Sequence, residues 1–151
     1  MQQISLSEDT VRLLVFLGVL AGMAAWEFAA PHRRSEIPRL IRWTNNLALI
    51  AVDTLALRLV FPMLATGAAL LAQNQGWGLF PALGLPAAAT VIAAILVLDF
   101  VIWGQHVVFH KVPALWRLHR MHHSDPAMDV TTALRFHPLE IVVSMALKIG
   151  V

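Results

Sequence analysis

Long apolar runs broken by short polar stretches set the pattern of this chain. Val11 to Ala29 is a run of about 19 residues, roughly 28 Å as helix, close to the hydrocarbon thickness of a bilayer. Glu8 and Asp9 precede it where a signal peptide carries Lys or Arg, so the pattern predicts a retained span. Pro31 and the polar stretch from His32 to Arg42 end it. Leu47 to Ala72 predicts a second span, with Asp53 and Arg58 inside and a kink at Pro62. Both charges are costly in lipid and are expected to face protein or to snorkel. Gln73-Asn74-Gln75-Gly76, then Pro81, Gly84 and Pro86, read as an uncharged loop. Pro86 suits a helix start, and the helix after it stays apolar to Leu98 before turning amphipathic through Asp99, His106 and His110. A short basic helix, Ala114 to His123, follows Pro113. Ile141 to Val151 is too short to cross a membrane and reads as the opening of another span. The pattern therefore predicts an all-α membrane bundle. We expect one domain over 1–151, incomplete at its C-terminal end, with spans near 11–29, 47–72 and 86–104, a fourth starting at 141–151, and a histidine-rich region at 99–140.

Composition narrows the class. The 151 residues are 58% hydrophobic and 13% charged, where a soluble domain carries about a quarter charged residues. Disordered, coiled-coil and most soluble readings are excluded. The absence of Cys removes disulfides, thiolate metal sites and cysteine nucleophiles. A net charge of +2 is too small to suggest nucleic acid as a partner. Placement of the basic residues says more than their number. Arg33, Arg34, Arg39 and Arg42 share the 31–46 loop, Lys111, Arg117, Arg120 and Arg135 share the 106–140 segment, and the 73–86 loop has none. The positive-inside rule then puts the N-terminus outside and both basic segments in the cytoplasm. The membrane itself we expect to be a bacterial inner membrane. Trp26, Trp43 and Trp77, near span ends, read as interfacial anchors.

Six of the seven histidines fall between residues 106 and 137. His106 and His110 are an i, i+4 pair on one helical face, and His119, His122 and His123 offer i+3 and i+4 pairs. Five imidazoles thus converge from two short elements. Neutral imidazole ligates Zn, Cu, Fe and Ni, and without Cys it must dominate any coordination sphere here. His137 is a possible sixth ligand, while His32 stands alone among Arg and Pro. Asp99, two helical turns before His106, is a candidate acceptor for that ring's outer N–H, and Asp125, Asp129 and Glu140 are further outer-shell candidates. Other readings of the cluster are contacts to lipid headgroups, a haem carrier, and a zinc hydrolase whose general base would come from Glu140 in the absence of a His-Glu-x-x-His helix.

The stretch Asp99-x3-Trp103-x2-His106-x3-His110-x2-Pro113-x-Leu115-Trp116-Arg117-x-His119-x2-His122-His123-Ser124-Asp125 resembles the fatty acid hydroxylase/sterol desaturase superfamily. So does its continuation, Asp129-x-Thr131-Thr132-x2-Arg135-Phe136-His137-Pro138-x-Glu140. The resemblance implies a histidine-ligated di-iron centre at the cytoplasmic face, with zinc as a possible substitute, and His106, His110, His119, His122 and His123 as ligands. It also implies a lipid substrate of sterol or fatty acyl type, dioxygen, and an electron donor such as a ferredoxin or a cytochrome with its reductase. Trp103 stands where the superfamily usually has Tyr. Superfamily members carry further C-terminal histidine clusters that this sequence does not reach, so the chain is expected to be a fragment of a longer enzyme, or else a truncated, non-catalytic paralogue with a partial site. Lys111, Arg117 and Arg120 suit either inside-positive anchoring or docking of an acidic donor.

Overall fold

The computed structural model describes residues 7–31 and 36–151, and every regular element among them is helical. His32, Arg33 and Arg34 lie outside the described residues. Helix α1 (Glu8–Ala29) starts under Ser7, whose side-chain oxygen accepts the Thr10 N–H at 3.2 Å, a serine N-cap. Helix α2 (Arg39–Val60) begins well before the apolar run that predicted it, because Arg42, Trp43 and Asn46 in its first turns have partners inside the protein. It ends at Phe61, which is extended (φ −113°, ψ 121°) as a residue before proline must be, and Pro62 then separates it from α3 (Ala65–Gln75). Gly76 closes α3 in the left-handed region at φ 68°, a conformation that favours glycine. A short helix, α4 (Leu79–Leu83), interrupts the loop to α5 (Ala87–Lys111). Then come α6 (Pro113–His119), two single-turn 3-10 segments (His122–Ser124 and Thr132–Leu134), and α7 (Pro138–Gly150).

Among the described residues three stretches are long and apolar enough to cross a membrane: Thr10–Ala29, the α2–α3 stretch Arg39–Gln75, and Ala87–Lys111. The 25 residues of the last measure about 37 Å. Burial is inverted relative to a water-soluble protein. Among the described residues the one buried hydrophobic side chain is Phe109, whereas Arg42, Asn46, Asp53, His119, Asp125, Thr131, Thr132 and Glu140 are all buried. Rows of Leu, Ile, Val and Phe on α1, α2 and α5 face outward. Large exposed apolar surfaces of this kind mark contact with lipid, and the polar residues collected inside mark a site. The protein is a membrane protein. Asp53, the costly charge of the second span, is turned inward near His137 and Glu140 of the α7 region, and Arg58 is exposed.

Helix α7 packs against α2, α3, α5 and α6, and α6 folds back on α5. The α5–α6 corner is a second pre-proline effect. Val112 is extended (φ −92°, ψ 116°) and Pro113 occupies the first turn of α6. The chain therefore reverses within two residues, so that α6 lies beside the last turns of α5.

Candidate metal centre

That reversal brings two histidine pairs together. His106 Nε2 and His110 Nε2, one turn apart on α5, are 3.1 Å from each other. His119 Nε2 and His123 Nε2 are 3.2 Å apart. Across the two elements the His106–His119 and His110–His123 ring centroids lie 4.6 and 4.9 Å apart. One nitrogen from each of the four rings falls within a 4.8 Å span. Two nitrogens held at 2.0–2.1 Å from a shared ion are about 2.9 Å apart in octahedral and about 3.4 Å apart in tetrahedral coordination. The 3.1 and 3.2 Å spacings lie between those limits, so the donor set fits a histidine-ligated metal with modest contraction across the group.

The environment sets which nitrogen each ring offers. His119 is 1% exposed, and its Nδ1 faces Glu140 Oε1 of α7 at 2.6 Å. An ionised carboxylate only accepts, so Nδ1 then carries the hydrogen and Nε2 presents its lone pair to the cluster. His122 donates Nδ1–H to the Arg135 carbonyl at 3.2 Å, which likewise leaves Nε2 as its donor atom. The His122 ring stacks on Phe136 (4.8 Å, 3°) and lies 5.6 Å from the His119 ring, at the edge of the four-ring group. His137 uses Nδ1 to accept the Leu139 N–H at 3.1 Å, capping α7. Burial, then repulsion from His110 and His122, lowers the His119 pKa, and desolvation followed by the neighbouring imidazoles lowers that of His123. Both shifts favour the neutral form that binds metal. Burial raises the Glu140 carboxyl, an effect opposed by the nearby histidines, and its Oε2 is buried without a partner.

The acidic candidates divide. Glu140 meets a ligand-type histidine directly. Asp99 is exposed on α5 and has no hydrogen bond to an imidazole among the described residues. Asp125 and Asp129 turn away from the rings to a polar clamp reaching α2. Arg42 donates Nη1 to both Asp125 oxygens (3.0 and 3.1 Å) and Nη2 to Asp129 Oδ2 (2.6 Å). Asn46, fully buried, donates to Asp125 Oδ2 and Thr131 Oγ1. Trp43 donates its indole N–H to Asp129 Oδ2 at 2.9 Å, so it is a strut within the protein rather than the interfacial anchor its position suggested. Trp26 and Trp77 are largely exposed. Arg42, read from the sequence as part of a positive loop, is buried in this clamp. Hydrogen bonds from Ala127, Thr132, Asn46 and Arg42 outweigh burial and hold Asp125 down at about 2. Asp129 is lowered as well: burial opposes, but the bonds from Thr131 and Trp43 and the charge of Arg42 prevail.

Residues 91–151 match the family model for fatty acid hydroxylase. The match begins within α5 and takes in all six clustered histidines, Glu140 and both clamp aspartates, while α1 to α4 lie outside it. It agrees with the resemblance to the fatty acid hydroxylase/sterol desaturase superfamily carried by the histidine spacing. Searches of curated proteins and of solved structures give no match. The matched segment is similar to fatty acid hydroxylases and holds the whole histidine cluster. Its histidine cluster has the geometry to bind metal.

Proposed function

We propose that this protein is a membrane lipid oxidoreductase that hydroxylates or desaturates a fatty acyl or sterol-type substrate with dioxygen at a histidine-ligated iron centre. The observation that carries the reading is the convergence of His106, His110, His119 and His123 at the end of an apolar span, inside the segment that matches fatty acid hydroxylases. An unactivated C–H bond is beyond any amino-acid side chain, and bound iron would supply the dioxygen-derived oxidant that such a bond requires.

The residues of the chain divide the remaining work. The four converging imidazoles would hold the ion, and His122, with Nε2 free, would be a further donor toward a second iron. His137 spends its Nδ1 lone pair on the Leu139 N–H, so its neutral ring carries the hydrogen on Nε2 and would have to give up that cap to join them. Glu140 orients His119 and balances charge beside it. The outward apolar faces of α1, α2 and α5 leave the bilayer side open to an apolar substrate. Lys111, Arg117 and Arg120 are exposed, lie next to or two residues from His110 and His119 in the chain, and suit an acidic ferredoxin- or cytochrome-type donor. In this reading the histidine face lies in the cytoplasm and the N-terminus outside, in a bacterial inner membrane. Four imidazoles within 4.8 Å also satisfy one tetrahedral ion, so a single structural zinc is the second reading.

Metal analysis of the purified chain, with lipid products profiled under air and under nitrogen, separates the two. The proposal expects iron, and an oxidised lipid that forms only with dioxygen and reductant. Stoichiometric zinc, with no oxidised product in the presence of iron, dioxygen and reductant, would overturn it.

A further inference from the structure

The turn that carries His122 and His123 has no regular helix to hold it, being a single 3-10 turn after the end of α6. Its shape is fixed from outside by one side chain. Arg135 donates Nε–H to the Met121 carbonyl at 2.9 Å, on the near side of the histidines. It donates Nη2–H to Ser124 Oγ at 2.9 Å on the far side. The third arm, Nη1–H, reaches Asn46 Oδ1 on α2 at 3.0 Å, and Asn46 is fully buried and bonded in turn to Asp125 and Thr131. The carbonyl of the same residue accepts from His122 Nδ1. One residue thus grips both ends of the histidine turn, selects the donor nitrogen of His122, and ties both to a membrane helix.

We infer that Arg135 is a positioning residue for the metal centre, aiming His122 and His123 through the Met121–Ser124 turn. The inference rests on the reading of these histidines as metal ligands. Three donors in a fixed plane are what the geometry uses, and Lys cannot reproduce them with a single ammonium. The two following residues serve the same histidines: Phe136 stacks on the His122 ring, and His137 caps the helix that carries Glu140 to His119.

The test is a cobalt(II) titration of the full chain in detergent, followed by visible absorption, with side-chain nitrogen NMR of the metal-free protein. Arg135→Lys keeps the charge and is expected to keep the helical circular dichroism. It is expected to weaken cobalt binding about 10- to 100-fold, the range for loss of an outer-shell partner, to change the visible bands, and to shift His122 from its Nδ1–H form toward a mixture. Ser124→Ala removes that arm together with the Ser124 Oγ–H bond to the Met121 carbonyl at 2.8 Å, and is expected to move the same readouts in the same direction, by less than Arg135→Lys. Parental affinity, bands and tautomer in Arg135→Lys overturn the inference. Should that variant lose its helical signal, an unchanged cobalt spectrum in Ser124→Ala overturns it instead. A parent chain that binds no cobalt defeats the inference together with the metal reading. Because cobalt binding is read without turnover, failure of the proposed reaction does not touch it.

Discussion

Replacing Arg42 by Met removes three hydrogen bonds at once and strands two carboxylates. The Asp125 side chain is 1% exposed and that of Asp129 is 7% exposed, so neither can recover its partner from water. Breaking a buried pair by removing one member costs about 3–5 kcal/mol. Asp125 keeps Thr132, Asn46 and the Ala127 N–H, and Asp129 keeps Trp43, Thr131 and the Thr131 N–H. The cost therefore belongs at the lower end, about 3 kcal/mol, or roughly a 150-fold shift in the folded-to-unfolded ratio. Because Asp125 lies two residues after His123, the loop that leaves the histidine turn loosens with it. The assay is reversible unfolding in mixed detergent for the parent, Arg42→Met, Asp129→Asn and the double variant. Residues in one network couple by 0.5–3 kcal/mol, whereas independent sites add within about 0.5. We expect the double variant to be at least 1 kcal/mol more stable than the sum of the singles predicts, since Asp129→Asn relieves one stranded charge. A cost below about 1 kcal/mol for Arg42→Met, or simple additivity, would refute the clamp.

Glu140→Gln removes the charge facing His119 Nδ1 and is expected to weaken metal affinity about 10- to 100-fold, measured by competition with a chelator, whereas unchanged affinity would detach Glu140 from the site. The clamp also predicts a pH dependence. Asp125 is held at about 2, below its ordinary 3.8, so its stabilisation is complete above the unfolded value and disappears as pH falls through the folded one. The stability gap between the parent and Asp125→Asn should therefore hold steady from pH 7 to 5 and narrow below about pH 4, by roughly 2 kcal/mol in full; a gap that closes above pH 5 would contradict this. If Lys111, Arg117 and Arg120 dock an acidic donor, reduction by a separate donor slows steeply with added salt and falls further when all three become Glu, and salt-insensitive rates would assign them to anchoring alone.

The spans and the histidine pairs were legible because each is a local pattern. A run of about 20 apolar residues fixes a length, and i, i+3 and i, i+4 spacing fixes a face, from one sequence alone. Pro113 told where α5 would end, whereas Pro62, expected as a kink within one span, separates α2 from α3, and the tight reversal that sets α6 on α5 was not readable from spacing. The clamp was not legible. Arg42 and Asn46 lie 79 to 89 residues from their partners, and no local rule pairs them. A positive-inside count treats Arg42 as one more exposed cation, although here it is buried. Asp99 illustrates the limit of periodicity: seven residues keep it on the His106 face but place it about 10 Å away along the axis, beyond hydrogen-bond reach. Of the acidic candidates read from the sequence, the one that meets a histidine is Glu140 of α7, where the His137 cap and Pro138 begin a helix with Glu140 in its first turn.

X-ray absorption at the metal edge of the chain loaded with one equivalent of iron or zinc tests the shared coordination of α5 and α6 most directly. The account predicts at least three imidazole nitrogens near 2.0–2.1 Å, with the outer-ring scattering of imidazole reduced both in His110→Ala and in His119→Ala. A shell of oxygens alone, or a spectrum that either substitution leaves unaltered, would contradict it.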